Sequence, residues 1–365
     1  MNIEELEFGL NTFGEVSAET PGGTLLTEAE TVRLIIDEAV LAESVGLDVF
    51  SIGEHYRDGH VDTAGHMMLA TIAGRTDTIR LGTSVTVLST QDPVRLFNNF
   101  STLDAASNGR AQLILGRASS TDSFPLFGYD LADYEHLFEE KLELFTQLLH
   151  EQPVTWEGTV RPALSGQRMS PALASATSLP TWIGVGGSPQ SVIRAAHYGL
   201  PLMLAIIGGQ PTRFAPYVDL YHRALEQFGH PRLPVGQHSL GLIADTDKEA
   251  ARAYWPEWNR AMVGASRDRG FPTPTRHQYD SEVEHGALFV GSPETVAAKI
   301  ADDMVDLDLT RFDFKYDIGN LSRGLRARSI ELFGTEVAPR VRELLAARAD
   351  VAAGETESVP VGTEA

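Results

Sequence analysis

The chain has 365 residues, no cysteine and a formal net charge of −21 at pH 7. The lack of cysteine excludes disulfides, iron–sulfur clusters, thiolate-bound zinc and a catalytic thiol. So acidic a chain, with no basic cluster, repels phosphate backbones and anionic lipids, so we expect neither nucleic acid nor a membrane as a partner. The first ten residues lack the basic and apolar regions of a signal peptide, and the longest apolar stretch, 200–207, is too short to span a bilayer. We therefore expect a soluble, cytoplasmic protein.

Short β-rich runs alternate with longer amphipathic segments along the whole chain. After the first predicted strand, Thr27 and Glu30 form a capping box that begins a helix, and Gly46 ends it. Eight β/α alternations predict a parallel sheet that closes into a TIM (β/α)8 barrel, with loop insertions at its C-terminal mouth. A doubly wound sheet is the alternative, but no glycine-rich fingerprint follows the first strand. The predicted strands are 7–13, 49–53, 79–88, 111–116, 181–186, 202–207, 239–244 and 312–316.

Helices are predicted near 189–198, 212–228, 247–265, 293–307 and 325–348, and a small hairpin at 155–160. Two irregular stretches, 118–132 and 161–179, follow the fourth strand and the hairpin, and we interpret them as lids over the mouth. Residues 1–348 are expected to form a single domain. Residues 349–365 contain no aromatic side chain and are expected to be a disordered tail.

A glycine-rich turn, Gly186-Gly187-Ser188, lies between a predicted strand and a helix. The glycines allow close approach of a ligand, Ser188 can cap the helix, and the free amides with the positive end of the dipole would face a phosphate. A plain helix cap is the alternative interpretation. At a similar turn further along, Glu294 brings its own carboxylate to the helix start and would repel a phosphate.

Two further candidates follow strand ends at the same mouth. Arg117 could clamp the phosphate, although a lone arginine is more often a surface charge. His55 could act as a general acid or base. His60 and His66 lie nearby, but spacings of five and six residues across glycines do not form a helical ligand pair, so we expect no metal site.

Several motifs in chain order resemble those of the bacterial luciferase-like flavin-dependent monooxygenases. The segment AESVGLD at 42–48, followed by Glu54-His55, resembles E-x-x-G-x-D…E-H, and IRLGTSV at 79–85 fits the third strand. The segment TLDAASNGR at 102–110 resembles L-D-x-x-S-x-G-R, and FGYD at 127–130 is similar to F-G-x-D. The turn at Gly186 matches the fifth β/α unit. The resemblance extends from about residue 7 to residue 341.

This resemblance implies a TIM barrel that binds FMN at its C-terminal mouth. Ser84 and Val85 would lie against the isoalloxazine, in the family often at a strained peptide bond, and His55 takes the place of the catalytic histidine. The residues implied to hold the phosphate are Arg117, Gly187, Ser188 and Ser191, with Gly186 in the same cradle. Gly116 and Tyr56 replace a reactive cysteine and a second histidine of luciferase itself, which argues against aldehyde-dependent light emission.

The function implied is that of an FMN-dependent oxidoreductase or monooxygenase acting on a small organic substrate. Reduced FMN, supplied by NAD(P)H directly or through a separate flavin reductase, would activate O₂ while the protein shields the site from water. An F420-dependent hydride-transfer enzyme of the same fold and a non-catalytic flavin-binding protein are the alternatives, and a metal-dependent barrel hydrolase is a distant fourth. Because relatives are often dimers, a homodimer is expected.

Overall fold

In the computed structural model, residues 2–117, 121–150, 152–174, 179–269 and 273–357 are described. Strands of this part of the chain form one large parallel sheet and one small antiparallel hairpin. In chain order the strands are β1 (Glu7–Thr12), β2 (Val49–Ile52), β3 (Arg80–Val87), β4 (Leu113–Gly116), β5 (Val154–Trp156), β6 (Leu164–Gln167), β7 (Thr181–Val185), β8 (Leu202–Ala205), β9 (Val235–Ile243), β10 (Leu288–Gly291) and β11 (Arg311–Lys315).

Eight of these strands close into a barrel, so the predicted TIM barrel is confirmed. The order around the barrel is β1, β2, β3, β4, β7, β8, β9 and β11, and the pairing of β11 with β1 completes the circle. The strand β10 was not predicted. It pairs with the second half of β9, whereas β8 pairs with the first half of that long strand.

The helices lie between the strands, as the alternation predicts. In chain order they are α1 (Glu28–Ser44), α2 (Gly65–Ala73), α3 (Pro93–Ala106), α4 (Ser123–Leu126), α5 (Tyr134–His150), α6 (Pro189–His197), α7 (Ala215–Phe228), α8 (Asp247–Arg269), α9 (Arg276–Glu284), α10 (Pro293–Asp306), α11 (Arg323–Leu332) and α12 (Ala338–Glu357). The predicted capping box at the start of α1 is confirmed, with the Thr27 amide donating to Glu30 at 2.8 Å. None of these helices, within the described ranges, is long and apolar enough to cross a membrane.

Two local predictions need correction, and one helix was overlooked. The hairpin pairs β5 with β6, so its second strand lies at 164–167 and not within 155–160, inside the stretch predicted as loop. The single helix predicted at 325–348 is two helices, α11 and α12, joined by a π-helical turn at Phe333–Val337. Helix α9 was not predicted.

Parts of the predicted lids and tail remain outside the described residues. Residues 118–120 and 175–178 belong to the two predicted lids, and 358–365 belong to the predicted tail. The backbone of α12 is helical as far as Glu357, beyond the predicted domain boundary at 348.

The barrel interior is unusually polar on one side because β11 alternates apolar and charged residues. Phe312 and Phe314 pack in the apolar layer beneath the helices, whereas Arg311 binds the Asp313 carboxylate through Nε at 2.7 Å and Nη2 at 2.8 Å. Arg311 also donates to the side-chain oxygen of Gln112, which comes from the start of β4, at 3.1 Å. The buried guanidinium therefore ties the closing strand of the barrel to its opposite wall.

A second buried ion pair joins α11 to α1. Arg326 donates to both carboxylate oxygens of Glu38, at 2.8 and 2.6 Å, and the Tyr316 hydroxyl donates to the same carboxylate at 2.6 Å. All three side chains are almost fully buried, so each depends on the others for hydrogen bonds. This contact positions the loop after β11 at the mouth.

Candidate active site

A cleft opens where the carboxyl ends of the barrel strands meet. Its walls are mostly apolar and carry no lysine or arginine from the described part of the chain. Polar groups come from Ser84 and from three ionisable side chains, of which Glu54 and His55 follow β2 and His238 lies on β9. The lining residues are Phe13, Glu54, His55, Ser84, Val85, Val87, Gly184, Met203, Ala205, Ile207 and His238.

His55 follows β2 and is held by Asp62 from the loop before α2. The ring Nδ1 lies 2.8 Å from Asp62 Oδ2, and the His55 backbone amide donates to Oδ1 of the same carboxylate at 3.1 Å. Asp62 is fully buried and His55 almost so. Because a carboxylate accepts hydrogen bonds, Asp62 fixes the tautomer with the proton on Nδ1 and leaves Nε2 for a ligand.

Glu54 joins the ends of β2 and β3. Its carboxylate accepts hydrogen bonds from the Val87 amide at 2.9 Å, the Gln91 side-chain amide at 2.9 Å and the Tyr56 hydroxyl at 2.6 Å. Burial raises the pKa of Glu54, and burial together with the Glu54 carboxylate raises the pKa of Tyr56. Tyr56 is therefore a neutral hydrogen-bond donor. The three hydrogen bonds to Glu54 hold the backbone in place beside His55, the next residue along the chain.

Ser84 and Val85 lie in the carboxyl-terminal half of β3 and line the cleft. The Ser84–Val85 peptide bond is cis, and the pairing of β3 with β4 shifts register at this point. Val85 packs over two glycines. A Cβ on Gly116 would lie 2.5 Å from Val85 Cγ2, and a Cβ on Gly184 would lie 2.9 Å from Val85 Cγ1. The glycine at position 116 is therefore required by the position of Val85.

The predicted phosphate cradle follows β7, which is separated from β3 by β4 in the barrel. Gly187 has a φ of 111°, and a Cβ on Gly186 would meet nothing within 4 Å. Ser188 is the N-cap residue of α6, but its hydroxyl donates to the Gln190 side chain at 3.0 Å and caps no amide. Ser191 is buried in the first turn. The amides at this helix start thus find no side-chain acceptor in the described ranges.

The similar turn at the start of α10 differs in how its amides are satisfied. The Ser292 amide donates to Asp247 Oδ1 at 2.6 Å, which lowers the pKa of that carboxyl, and Glu294 pairs with Arg340 instead. As the sequence indicated, a carboxylate lies at the start of α10 and, among the described residues, none lies at the start of α6. The residue that supplies it is Asp247 and not the predicted Glu294.

Arg117 is not free at the mouth. It pairs with Glu135 of α5, and the same carboxylate lies 3.3 Å from Arg194 of α6. Its guanidinium also lies 5.4 Å from the centre of the Tyr134 ring. Glu135 thus links Arg117 to the helix that carries the cradle, and it is the acceptor that a bound phosphate would have to replace or share.

His238, on β9, is a residue of the cleft that was not predicted. The predicted strand began one residue later, so the inward position of His238 was overlooked, although alternation along Gln237-His238-Ser239 would have indicated it. The His238 ring stacks on Phe13, with centroids 5.6 Å apart and an interplanar angle of 15°, and the His55 ring lies 4.6 Å from the same Phe13 ring.

The neighbouring histidines do not form a metal site with His55. His60 lies 3.8 Å from Glu15, and burial lowers the pKa of both His60 and His66. Across the described residues, no group of three histidine, aspartate or glutamate side chains is arranged to hold a metal ion.

Comparison with known proteins identifies the family. The profile of the luciferase-like monooxygenases matches residues 6–311. The chain belongs to the luciferase-like monooxygenase family. A curated relative of this luciferase-like monooxygenase is the 4-hydroxyprotoasukamycin monooxygenase of Streptomyces nodosus subsp. asukaensis, 26% identical over 373 residues that cover 93% of each chain.

Several solved structures share the fold of this chain. The monooxygenase RslO1 from Streptomyces bottropensis is 24% identical with a TM-score of 0.80, and the alignment covers 92% of this chain and 99% of that one. The oxygenating constituent of 3,6-diketocamphane monooxygenase from Pseudomonas putida, a type II Baeyer–Villiger monooxygenase in complex with FMN, is 20% identical with a TM-score of 0.73 and the same coverage. The F420-dependent tetrahydromethanopterin reductase from Methanopyrus kandleri is 18% identical with a TM-score of 0.64, again with that coverage.

Proposed function

We propose that this luciferase-like monooxygenase binds reduced FMN at the cleft and uses O₂ to oxidise a small organic substrate. The observation that carries the proposal is the arrangement of the mouth, where an apolar cleft with a histidine–aspartate pair adjoins a glycine turn at a helix N-terminus. Reduced FMN, when bound, supplies the electrons that activate O₂. The Pseudomonas relative that is complexed with FMN has the same fold.

The residues at both ends of the mouth suit this cofactor. At the phosphate end, the open space over Gly186 and the uncapped start of α6 would accept a dianion, with Gly187, Ser188 and Ser191 around it. At the ring end, Val85 and Ser84 would supply a flat wall held from behind by Gly116 and Gly184. Arg117 would bind the phosphate if the phosphate replaced Glu135 as the partner of its guanidinium or shared the guanidinium with it.

The protein's own contribution to the reaction is positioning, shielding and one proton. His55 Nε2 would take or give the proton, while Asp62 holds the ring and stabilises the imidazolium that forms. The apolar walls exclude water from the reacting atoms. The Glu54 carboxylate accepts three hydrogen bonds from the protein, so we assign it a positioning role and not that of a second base.

Hydride transfer with F420 is the second candidate, since an F420-dependent reductase shares this fold. Binding separates the two. The purified protein is titrated with FMN, with FMN reduced under anaerobic conditions, with riboflavin and with F420, following the quenching of the protein's tryptophan fluorescence. We expect reduced FMN to bind more tightly than riboflavin, because riboflavin lacks the phosphate. Binding of F420 without FMN binding would favour hydride transfer, and binding of neither would overturn the proposal.

The phosphate cradle is tested by comparing two arginine variants. Arg117→Ala is expected to weaken FMN binding about tenfold, the effect of one lost charge-assisted hydrogen bond, and to leave riboflavin binding unchanged. Arg340→Ala, which breaks a remote exposed ion pair with Glu294, is the matched control and should change neither affinity. Equal FMN affinity of the two variants would exclude Arg117 from the site.

His55 is tested by turnover. His55→Ala should slow oxygen-dependent consumption of FMNH₂ while flavin affinity is kept, and full turnover would contradict the assignment. Supplying NAD(P)H with and without an added flavin reductase tells whether the chain reduces its own flavin. The proposed homodimer is checked by light scattering in solution.

A further inference from the structure

His238 is a buried imidazole of the cleft that takes part neither in the His55–Asp62 pair nor in the hydrogen bonds of Glu54. Its side chain is 4% exposed and lines the cleft, and neither ring nitrogen has a hydrogen-bond partner among the described residues. Most buried polar side chains do have a partner, because leaving one without it destabilises the folded protein. A ligand that reaches the ring from the cleft would supply a missing hydrogen bond, because a neutral imidazole has one N–H donor and one acceptor nitrogen.

The ring is neutral in the folded protein. Burial, and to a smaller extent the positive charge of Lys315, lowers the pKa of His238 to about 4, against the opposing effect of Asp313 and Asp317. The Lys315 ammonium lies 4.5 Å from the centre of the Phe13 ring, and its charge is balanced by Asp317 Oδ1 at 3.0 Å and Glu15 Oε1 at 3.5 Å. At neutral pH His238 therefore offers one N–H donor and one acceptor nitrogen without a charge.

The cleft lining also disfavours an anionic ligand beside His238. It contains no arginine or lysine in the described part of the chain, and Glu54 contributes a carboxyl group. The Phe13 ring contacts both imidazoles, 4.6 Å from His55 and 5.6 Å from His238, and all three side chains line the same cleft. A molecule in this cleft would meet both the acid–base histidine and a neutral hydrogen-bonding histidine.

We propose that His238 binds a carbonyl or hydroxyl oxygen of a neutral, otherwise apolar organic substrate and so orients that substrate between itself and His55. This inference rests on the proposed function and narrows its substrate class. The same hydrogen bond could in principle be made to the flavin ring, and the experiment distinguishes the two ligands.

The test follows the ring nitrogens of histidine by ¹⁵N NMR in the full chain, with the signal of His238 assigned through its loss in His238→Phe. Cyclohexanone and cyclohexanol are the oxygen-bearing probes, and methylcyclohexane is the apolar control of similar size. We expect both oxygen-bearing probes to shift the His238 nitrogens and methylcyclohexane to leave them unchanged. His238→Phe keeps the stacked ring on Phe13 and should weaken cyclohexanone binding about three- to tenfold, as expected for one neutral hydrogen bond.

A second variant guards against a merely structural effect. His238→Gln keeps a donor and an acceptor and should recover part of the cyclohexanone affinity, while FMN affinity stays unchanged in both variants. A shift of the His238 nitrogens with FMN but not with the ketone would assign the residue to the cofactor and overturn the proposal, as would equal shifts with methylcyclohexane. Failure of FMN to bind, with the ketone shift intact, would instead overturn the proposed function and leave this site standing.

Discussion

Replacing Gly116 by alanine places a methyl group where the side chain of Val85 already lies. The added Cβ would be 2.5 Å from Val85 Cγ2, 2.9 Å from its Cβ and 3.1 Å from Cγ1. Rotation of Val85 about χ1 moves the two methyl groups but not the Cβ, so the clash remains in every rotamer. The change must therefore displace the backbone at the end of β3 or β4.

The expected cost is that of overpacking a buried site, about 1–3 kcal/mol of unfolding free energy. Gly186→Ala is the matched control, since it adds the same methyl group at a neighbouring strand end where nothing lies within 4 Å, and its effect should stay within about 0.5 kcal/mol. Both variants are compared with the parent by urea unfolding, followed by tryptophan fluorescence without flavin.

A double variant, Val85→Ala with Gly116→Ala, tests whether the side chain of Val85 causes the clash. Val85→Ala removes both methyl groups that crowd position 116, so in that background Gly116→Ala should cost less than in the parent, with a coupling of about 1–2 kcal/mol. Additive effects, or an equal cost for Gly116→Ala and Gly186→Ala, would show that Val85 does not determine the residue at 116. Because Val85 is pushed towards the cleft, Gly116→Ala should also weaken flavin binding.

Three further predictions concern buried charge and the cleft histidines. Asp62→Asn should lower FMNH₂ turnover about a hundredfold or more by releasing the tautomer of His55, with FMN affinity unchanged in the same titration; unchanged turnover would contradict the role of the pair. Arg326→Met should cost about 3–5 kcal/mol in urea unfolding because it leaves its partner carboxylate on α1 buried and unpaired, whereas loss of the exposed pair made by Arg328 in Arg328→Ala should cost under about 1 kcal/mol; similar values would refute this difference. Since the folded-state pKa of His238, about 4, lies below the ordinary 6.5, the unfolded chain takes up this proton first as the pH falls. Between pH 6.5 and 4 the parent should therefore lose on the order of 3 kcal/mol more than His238→Phe, and parallel pH–stability curves would exclude this titration.

Local sequence signals were sufficient for the architecture and for the strand ends that carry His55, Ser84 and Val85. Alternating β and α segments, a capping box and strand-ending glycines act over a few residues, and the eight barrel strands were predicted from them. The one parallel strand overlooked, β10, pairs beside the second half of β9, and no local pattern tells how many neighbours a long strand has. The hairpin partner at 164–167 was missed because residues 157–163 separate it from β5, whereas the prediction placed a tight turn within 155–160.

The roles of individual side chains at the mouth depend on contacts between distant segments. That Glu135 occupies Arg117, that Asp247 rather than Glu294 reaches the start of α10, and that Val85 requires a glycine at 116 each follow from strand register and helix docking. The sequence by itself determined the barrel, the family and the set of strand ends at the mouth, because these depend on periodicity and short motifs. Only the tertiary structure decided which imidazole is held by a carboxylate and which, at His238, is left without a partner, because hydrogen bonds and burial are settled when the barrel closes.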